Sequence, residues 1–379
     1  MTFYQLALLG EPEAGLQKIV EEKLKEAIAC LGMTLGKEVT LHTGPDAFQP
    51  FPKLSTAALY FGREAAPVHI GLQTLIHSKV PIVPVASTAK QFGLEIPPSL
   101  QPFNGAFLDQ ANADRLVTIL LECAGLLPRQ RRVFISYKQS ETRNVALQLF
   151  EALSSRRFDV FLDTHGIAVG VDFQEELWHR LSDSDVVLML DSPGYLESRW
   201  TRAELGRTLA KQVGVLRVGW PGHDLDRRAS LARNLPLSAA DFTPENLLTE
   251  NAIKEICTEL ESTRTTSIAL RYLSLAEQIE QGLLTIGGTV LGIGQRRRMA
   301  IQLPNGENTF AFPVLGIPSS VTMQEAIVEG HENAVAVIYN HLGVRQNWLD
   351  HMAWLGEHIQ SVRWVRESEA AWSFADWEK

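Results

Sequence analysis

The chain has 379 residues, 45% of them hydrophobic and 21% charged, a globular mixture that excludes disorder as its main theme. Single cores stop growing near about 250–300 residues, so this length predicts two or three compact units. Against 35 Lys and Arg stand 44 Asp and Glu, a net charge of −9 with no overall field to attract a nucleic-acid backbone.

Cys30, Cys123 and Cys257 are odd in number and far apart. They give neither a disulfide framework nor a CxxC metal pair, and they fit a reducing cytoplasm. The N-terminal run from Met1 to Gly10 lacks the basic region and apolar length of an export signal. The apolar stretch Leu283 to Gly294 is broken by four glycines and falls short of the roughly 20 residues a membrane span needs. A soluble cytoplasmic protein is expected.

In chain order, the first block (residues 1–128) alternates apolar runs (Gln5 to Leu9, Ala57 to Phe61, Val80 to Val85) with helical patterns (Glu13 to Cys30, His69 to His77, Asn112 to Cys123). That rhythm predicts a Rossmann-like parallel α/β sheet. The second block (129–262) opens on the strand Val133 to Tyr137, followed by an amphipathic helix from Ser140 to Arg156 with Ser140 as N-cap. Strands are then expected at Asp159 to Leu162, Asp185 to Leu190 and Val213 to Val218, and helices at Phe173 to Leu181 and Thr201 to Lys211. This is a doubly wound sheet, whose chemistry belongs at the carboxyl ends of its strands.

The third block (263–379) reads as α+β: a helix from Ile268 to Leu284, a hairpin turning at Pro304-Asn-Gly306, a strand to Tyr339, a helix from Gln346 and a strand at Val362 to Val365. Trp348, Met352, Leu355 and Ile359 recur at helical spacing, which favours core over a ligand surface. Arg296 to Arg298 reads as a solvated hairpin edge.

The middle block carries a family resemblance. Phe134-Ile-Ser-Tyr-Lys138, Phe158 to Asp163, Ile167 to Gly170 with Asp172 to Trp178, Asp183 to Ser192-Pro, and Ser198 to Leu205 occur in the order seen in TIR domains. Residues 132–262 therefore resemble a TIR domain of the bacterial NAD-cleaving type. The resemblance implies a flavodoxin-like sheet with a BB loop at Asp163 to Asp172. If the chain consumes an essential cofactor, the two flanking blocks would control it: an N-terminal Rossmann-like or TIR-like α/β regulatory domain and a C-terminal α+β sensor domain.

TIR domains either assemble signalling complexes or cleave the nicotinamide–ribose bond of NAD, so the family name alone does not fix an activity. Trp200-Thr-Arg-Ala-Glu204 matches the WxxxE arrangement of the cleaving members, and the resemblance makes Glu204 catalytic. Trp200 lies four residues away, on the same helical face. Phe134, Tyr137, Lys138, Asp163 and Gly170 are then substrate-binding residues, at strand ends or in the BB loop. Nicotinamide leaves from a cationic nitrogen, so no general acid is needed and one carboxylate can stabilise the oxocarbenium-like ribose.

NAD is a substrate here and no separate cofactor or metal is expected. The resemblance further implies self-association through TIR domains, activation by an unidentified ligand or protein, and a role in antiphage defence. Two alternatives stay open: a non-catalytic TIR scaffold and a receptor for a nucleotide-derived signal. The run His77 to Val85 aligns with Ala210 to Val218, and without gaps that alignment sets Gly71 opposite Glu204 and Pro67 opposite Trp200. The first block would thus be a copy without the acid, or simply a second parallel α/β domain of the same plan. No P-loop, nucleophile elbow or zinc motif is present in the sequence.

Overall fold

Strands buried on both faces can be apolar along their whole length, and Tyr4-Gln-Leu-Ala-Leu-Leu-Gly10 is such a run. It forms β1 (Tyr4–Gly10), nearly all of it buried. The computed structural model describes residues 1–44, 48–65, 68–162, 173–195, 206, 211–330 and 335–377.

β1 pairs in parallel with β2 (Val39–Thr43) and β3 (Ser55–Phe61), and the sheet continues through β4 (Ile82–Ala86) to β5 (Ala106–Phe107). Its order is β2-β1-β3-β4-β5. Leu6 and Leu8 face Val20, Leu24 and Ile28 of the helix Ala14–Cys30 and Leu116 and Leu120 of the helix Ala113–Ala124. Ala7 and Leu9 turn to the opposite face, against Leu72 and Leu75 of the helix Leu72–His77. Asn112 accepts the Arg115 amide at 3.0 Å to cap the helix Ala113–Ala124, and Gly125 ends it in the left-handed region.

The second sheet repeats the same plan. β6 (Arg132–Tyr137), β7 (Asp159–Leu162), β8 (Val186–Asp191), β9 (Gly214–Gly219) and β10 (Arg233–Pro236) pair in parallel in the order β10-β9-β8-β6-β7. Counted within each sheet, both orders are 2-1-3-4-5, the flavodoxin-like arrangement. The helix after β6 is Gln139–Ser154, with Lys138 rather than Ser140 at its N-cap position. The third sheet, β11 (Thr289–Ile293), β12 (Met299–Gln302), β13 (Asn308–Val314), β14 (Val335–Tyr339) and β15 (Val362–Arg366), is antiparallel through β13 and parallel beyond it. It is the expected α+β module.

The chain divides into two compact units. One takes Met1–Leu127, Tyr272–Asn340 and Asn347–Lys379; the other takes Pro128–Arg271 and His341–Gln346. The first and third sequence blocks thus share a unit, in which Leu291, Ala300 and Phe310 join the core of Leu9, Leu75 and Phe103. The arginine triplet, expected at a solvated edge, serves this packing instead. Arg298 is buried with its guanidinium 4.0 Å from the Phe310 ring, Arg297 donates to the Cys123 carbonyl and Ser55 Oγ, and Arg296 pairs with buried Glu122.

A change of texture at residue 262 suggested a boundary there, yet the helix Glu250–Ile286 runs unbroken through it and the units part at Arg271 and Tyr272. The run Ser262 to Ser267 is polar because it is bonded, not because it is solvated. Arg264 is fully buried between Glu261, Asp185 and the Gln130 carbonyl, while Ser267 Oγ accepts the Gly214 amide at 2.9 Å.

Candidate active site

In a 2-1-3-4-5 sheet the strand order reverses between the first and third strands, and a crevice opens at their carboxyl ends. In the second sheet those strands are β6 and β8. β6 delivers Ser136, Tyr137 and Lys138 to this end; β8 delivers Asp191, followed by Ser192-Pro-Gly-Tyr195. Alternation sorts the side chains. Phe134 is fully buried, stacked on Phe161 at 5.3 Å among Leu177, Val187 and Met189, whereas Tyr137 turns to the opposite face and is buried with Ile135 and Leu190. Beneath the mouth, Ser136 Oγ and Tyr195 OH are hydrogen-bonded at 2.7 Å.

The mouth itself is charged. Lys138 Nζ lies 2.6 Å from Glu141 Oε1, and the Gly194 amide donates to Glu141 Oε2 at 3.1 Å. The hydrogen bond from Lys138 holds the Glu141 carboxyl below the usual carboxylate range, with the neighbouring Ser192 hydroxyl and the Gly194 amide acting in the same direction. A Cβ on Gly194 would collide with both Lys138 Nζ and Glu141 Oε1, so the ion pair rests directly on glycine backbone.

Beside the mouth, Arg217 of β9 is buried with almost no exposure. Its Nε donates to Asp191 Oδ2 at 2.5 Å, Nη1 to Asn234 Oδ1 at 2.6 Å, and Nη2 to the carbonyls of His223 and Asp224. A buried guanidinium with four acceptors is a satisfied charge. It ties the loop after β9 and the edge strand β10 to the end of β8. Among the described residues, no group of three His, Cys, Asp or Glu side chains is placed to hold a metal ion, and no helix is long and apolar enough to cross a membrane.

Of the residues singled out from sequence, Phe134, Tyr137 and Lys138 stand on or next to β6, with only Lys138 at the surface of the mouth. Asp163, Gly170, Trp200 and Glu204 lie outside the described residues. Sequence reasoning passed over Glu141, Ser192, Gly194 and the Asp191–Arg217 pair. One signal was available: an arginine inside the apolar run Val213 to Val218 must find acceptors if the strand is buried.

Residues 133–256 match the TIR domain family model. The chain is 25% identical over 127 residues to a 2' cyclic ADP-D-ribose synthase of Bacteroides thetaiotaomicron, a match covering 32% of this chain and 44% of that protein. The chain thus spans less than half the length of this relative. Two solved structures overlap it poorly. A tagatose-6-phosphate ketose/aldose isomerase from Escherichia coli matches at 13% identity over 71% of this chain and 81% of its own, with a TM-score of 0.19. Proximal thread matrix protein 1 from the mussel byssus matches at 9% identity over 68% and 96%, with a TM-score of 0.20. Such overlaps carry no argument. With strand order, the ordered motifs and the family match in agreement, the segment from residue 133 to residue 256 is a TIR domain.

Proposed function

We propose that this TIR domain cleaves the nicotinamide–ribose bond of NAD, releasing nicotinamide and leaving ADP-ribose or a cyclic isomer of it. The observation that carries the reading is Trp200-Thr-Arg-Ala-Glu204 within the segment 133–256 that matches the TIR family model, in a chain similar over 127 residues to a cyclic ADP-ribose synthase. The chemistry asks little of the protein. The pyridinium nitrogen of NAD departs as neutral nicotinamide, so the transition state needs charge stabilisation at the ribose rather than a proton donor. An anionic Glu204 supplies it and can hold a ribose hydroxyl. The Trp200 ring offers a π face to the developing cation, and Lys138 meets the anionic part of the substrate.

Because such an enzyme consumes an essential cofactor, the reading includes control by the rest of the chain and by self-association of TIR domains, in the setting of antiphage defence. The test is to incubate the purified protein with NAD over a range of protein concentrations and separate nicotinamide, ADP-ribose and cyclic isomers by chromatography. Nicotinamide release whose specific rate rises with concentration is expected. No release at any concentration would favour a scaffold, and a constant specific rate would remove self-association from the account.

A further inference from the structure

The first sheet has the same 2-1-3-4-5 order, so its strand order reverses between β1 and β3, and a crevice is expected at their carboxyl ends. Gly10 and Phe61 end these strands side by side, with Gly10 at φ +77° and so close that a Cβ would collide with the Phe61 carbonyl. Just beyond them, Glu11 Oε2 and Arg63 Nη1 meet at 3.3 Å, both exposed to solvent. Tyr60, buried one residue earlier on β3, has a hydroxyl that accepts a hydrogen bond from the His69 backbone amide. Burial raises the pKa of that hydroxyl, and the Glu11 carboxylate acts in the same direction, which sets Glu11 close to it. Glu11, Tyr60, Arg63 and His69 thus share one corner of the sheet. His69 makes the corner informative. The residue is 8% exposed, and neither its Nδ1 nor its Nε2 finds a hydrogen-bond partner among the described residues. A neutral imidazole carries one donor and one acceptor, and a buried ring with both unmet asks for a reason.

We infer that this corner of the first sheet is a ligand site for a phosphorylated ribose, with Glu11 and His69 holding the sugar hydroxyls and Arg63 the phosphate. A sugar hydroxyl both donates and accepts, so neighbouring hydroxyls satisfy the two imidazole nitrogens and the Glu11 carboxylate, which only accepts. The guanidinium fork of Arg63 matches a phosphate. Its pair with Glu11 is exposed, and such pairs are weak, so Arg63 turns to an arriving phosphate at little cost while Glu11 turns to the hydroxyls. A bare anion would meet Arg63 and be repelled by Glu11, and a neutral sugar would leave Arg63 unused. A ligand with hydroxyls at one end and an anion at the other fits both. These residues lie outside the TIR segment 133–256, and the inference does not depend on NAD being cleaved there.

The experiment titrates the full chain calorimetrically with ribose 5-phosphate and with AMP, using ribose and inorganic phosphate as controls. Both phosphorylated riboses are expected to bind at least about tenfold more tightly than either control. Glu11→Gln, at an exposed position, is expected to weaken them about tenfold with the same unfolding midpoint. His69→Leu is expected to weaken them by a similar factor while keeping or raising that midpoint, because it removes two buried polar atoms without partners. A merely structural histidine would move the midpoint and leave the affinity alone. AMP bound more tightly than ribose 5-phosphate identifies the ligand as a nucleotide; equal affinities identify it as a sugar phosphate. Absence of binding by either probe overturns the inference, as does unchanged affinity in folded Glu11→Gln or folded His69→Leu. Binding weakened by Glu204→Gln but not by Glu11→Gln would assign the probe to the TIR segment and overturn it as well.

Discussion

The first and second sheets share a strand order and differ at their carboxyl ends. In the first, Ser87 follows β4 and donates both its amide, at 2.7 Å, and its hydroxyl, at 2.5 Å, to Glu95, while Glu11 and Arg63 pair at 3.3 Å after β1 and β3. Every donor just named has an internal acceptor. In the second, Lys138 pairs with Glu141 at 2.6 Å, the Gly194 amide donates to the same carboxylate at 3.1 Å, and the Ser192 hydroxyl adjoins it. One topology therefore carries two different sets of charged and hydroxyl groups at its carboxyl ends. Chemistry depends on a few side chains that the strand order does not specify.

The largest effect should come from the charge that organises the second end. Arg217→Met leaves Asp191 buried without its cation, a change that costs about 3–5 kcal/mol. Urea unfolding of this variant should show a sharply lowered midpoint. A loss below about 1 kcal/mol would mean that the pair is not what holds the loop after β9, and the contrast between the sheets would lose its physical basis.

A smaller, pH-dependent effect is expected in the same unit. Burial, assisted by Arg345, lowers the pKa of His179 from 6.5 to about 4. Between those values the unfolded chain takes up a proton that the folded chain refuses. Stability is therefore full above pH 6.5 and falls as the pH drops towards 4, by on the order of 2–3 kcal/mol. His179→Gln should flatten this part of the unfolding profile measured from pH 8 to pH 4.5; an equally steep loss in the variant would assign it to other groups.

The smallest effect sharpens the comparison from the other side. Glu95→Gln weakens the hydrogen bonds that close the first sheet at an exposed position and should cost about 1 kcal/mol, leaving nicotinamide release unchanged. A substantial change in release would place the first sheet in the reaction and erase the distinction.

Much of this was legible in the sequence. β1, β3, β4, β6, β8 and β9 are short, largely apolar runs whose length reads as buried strand, and the ordered motifs named the TIR segment. β10 was hidden because Arg233-Asn-Leu-Pro236 has no strand character of its own; parallel pairing with β9 and the Arg217–Asn234 bond hold it. The arginine triplet and the run Ser262 to Ser267 misled for one reason. Charge and hydroxyls read as solvent-facing in one dimension, and two of their acceptors, Glu122 and the Gln130 carbonyl, lie more than 100 residues away. At the mouth, Lys138 was visible as a basic residue after a strand and its pair with Glu141 is a local i,i+3 contact, whereas the Gly194 amide reaches that carboxylate only because two strands meet.

The most direct test of the account compares nicotinamide release from NAD by the wild-type chain and by Glu204→Gln at equal concentration and equal unfolding midpoint. The account predicts a loss of at least about 100-fold in the variant, the scale expected when a group stabilising transition-state charge is removed. Equal release by the two proteins would contradict it.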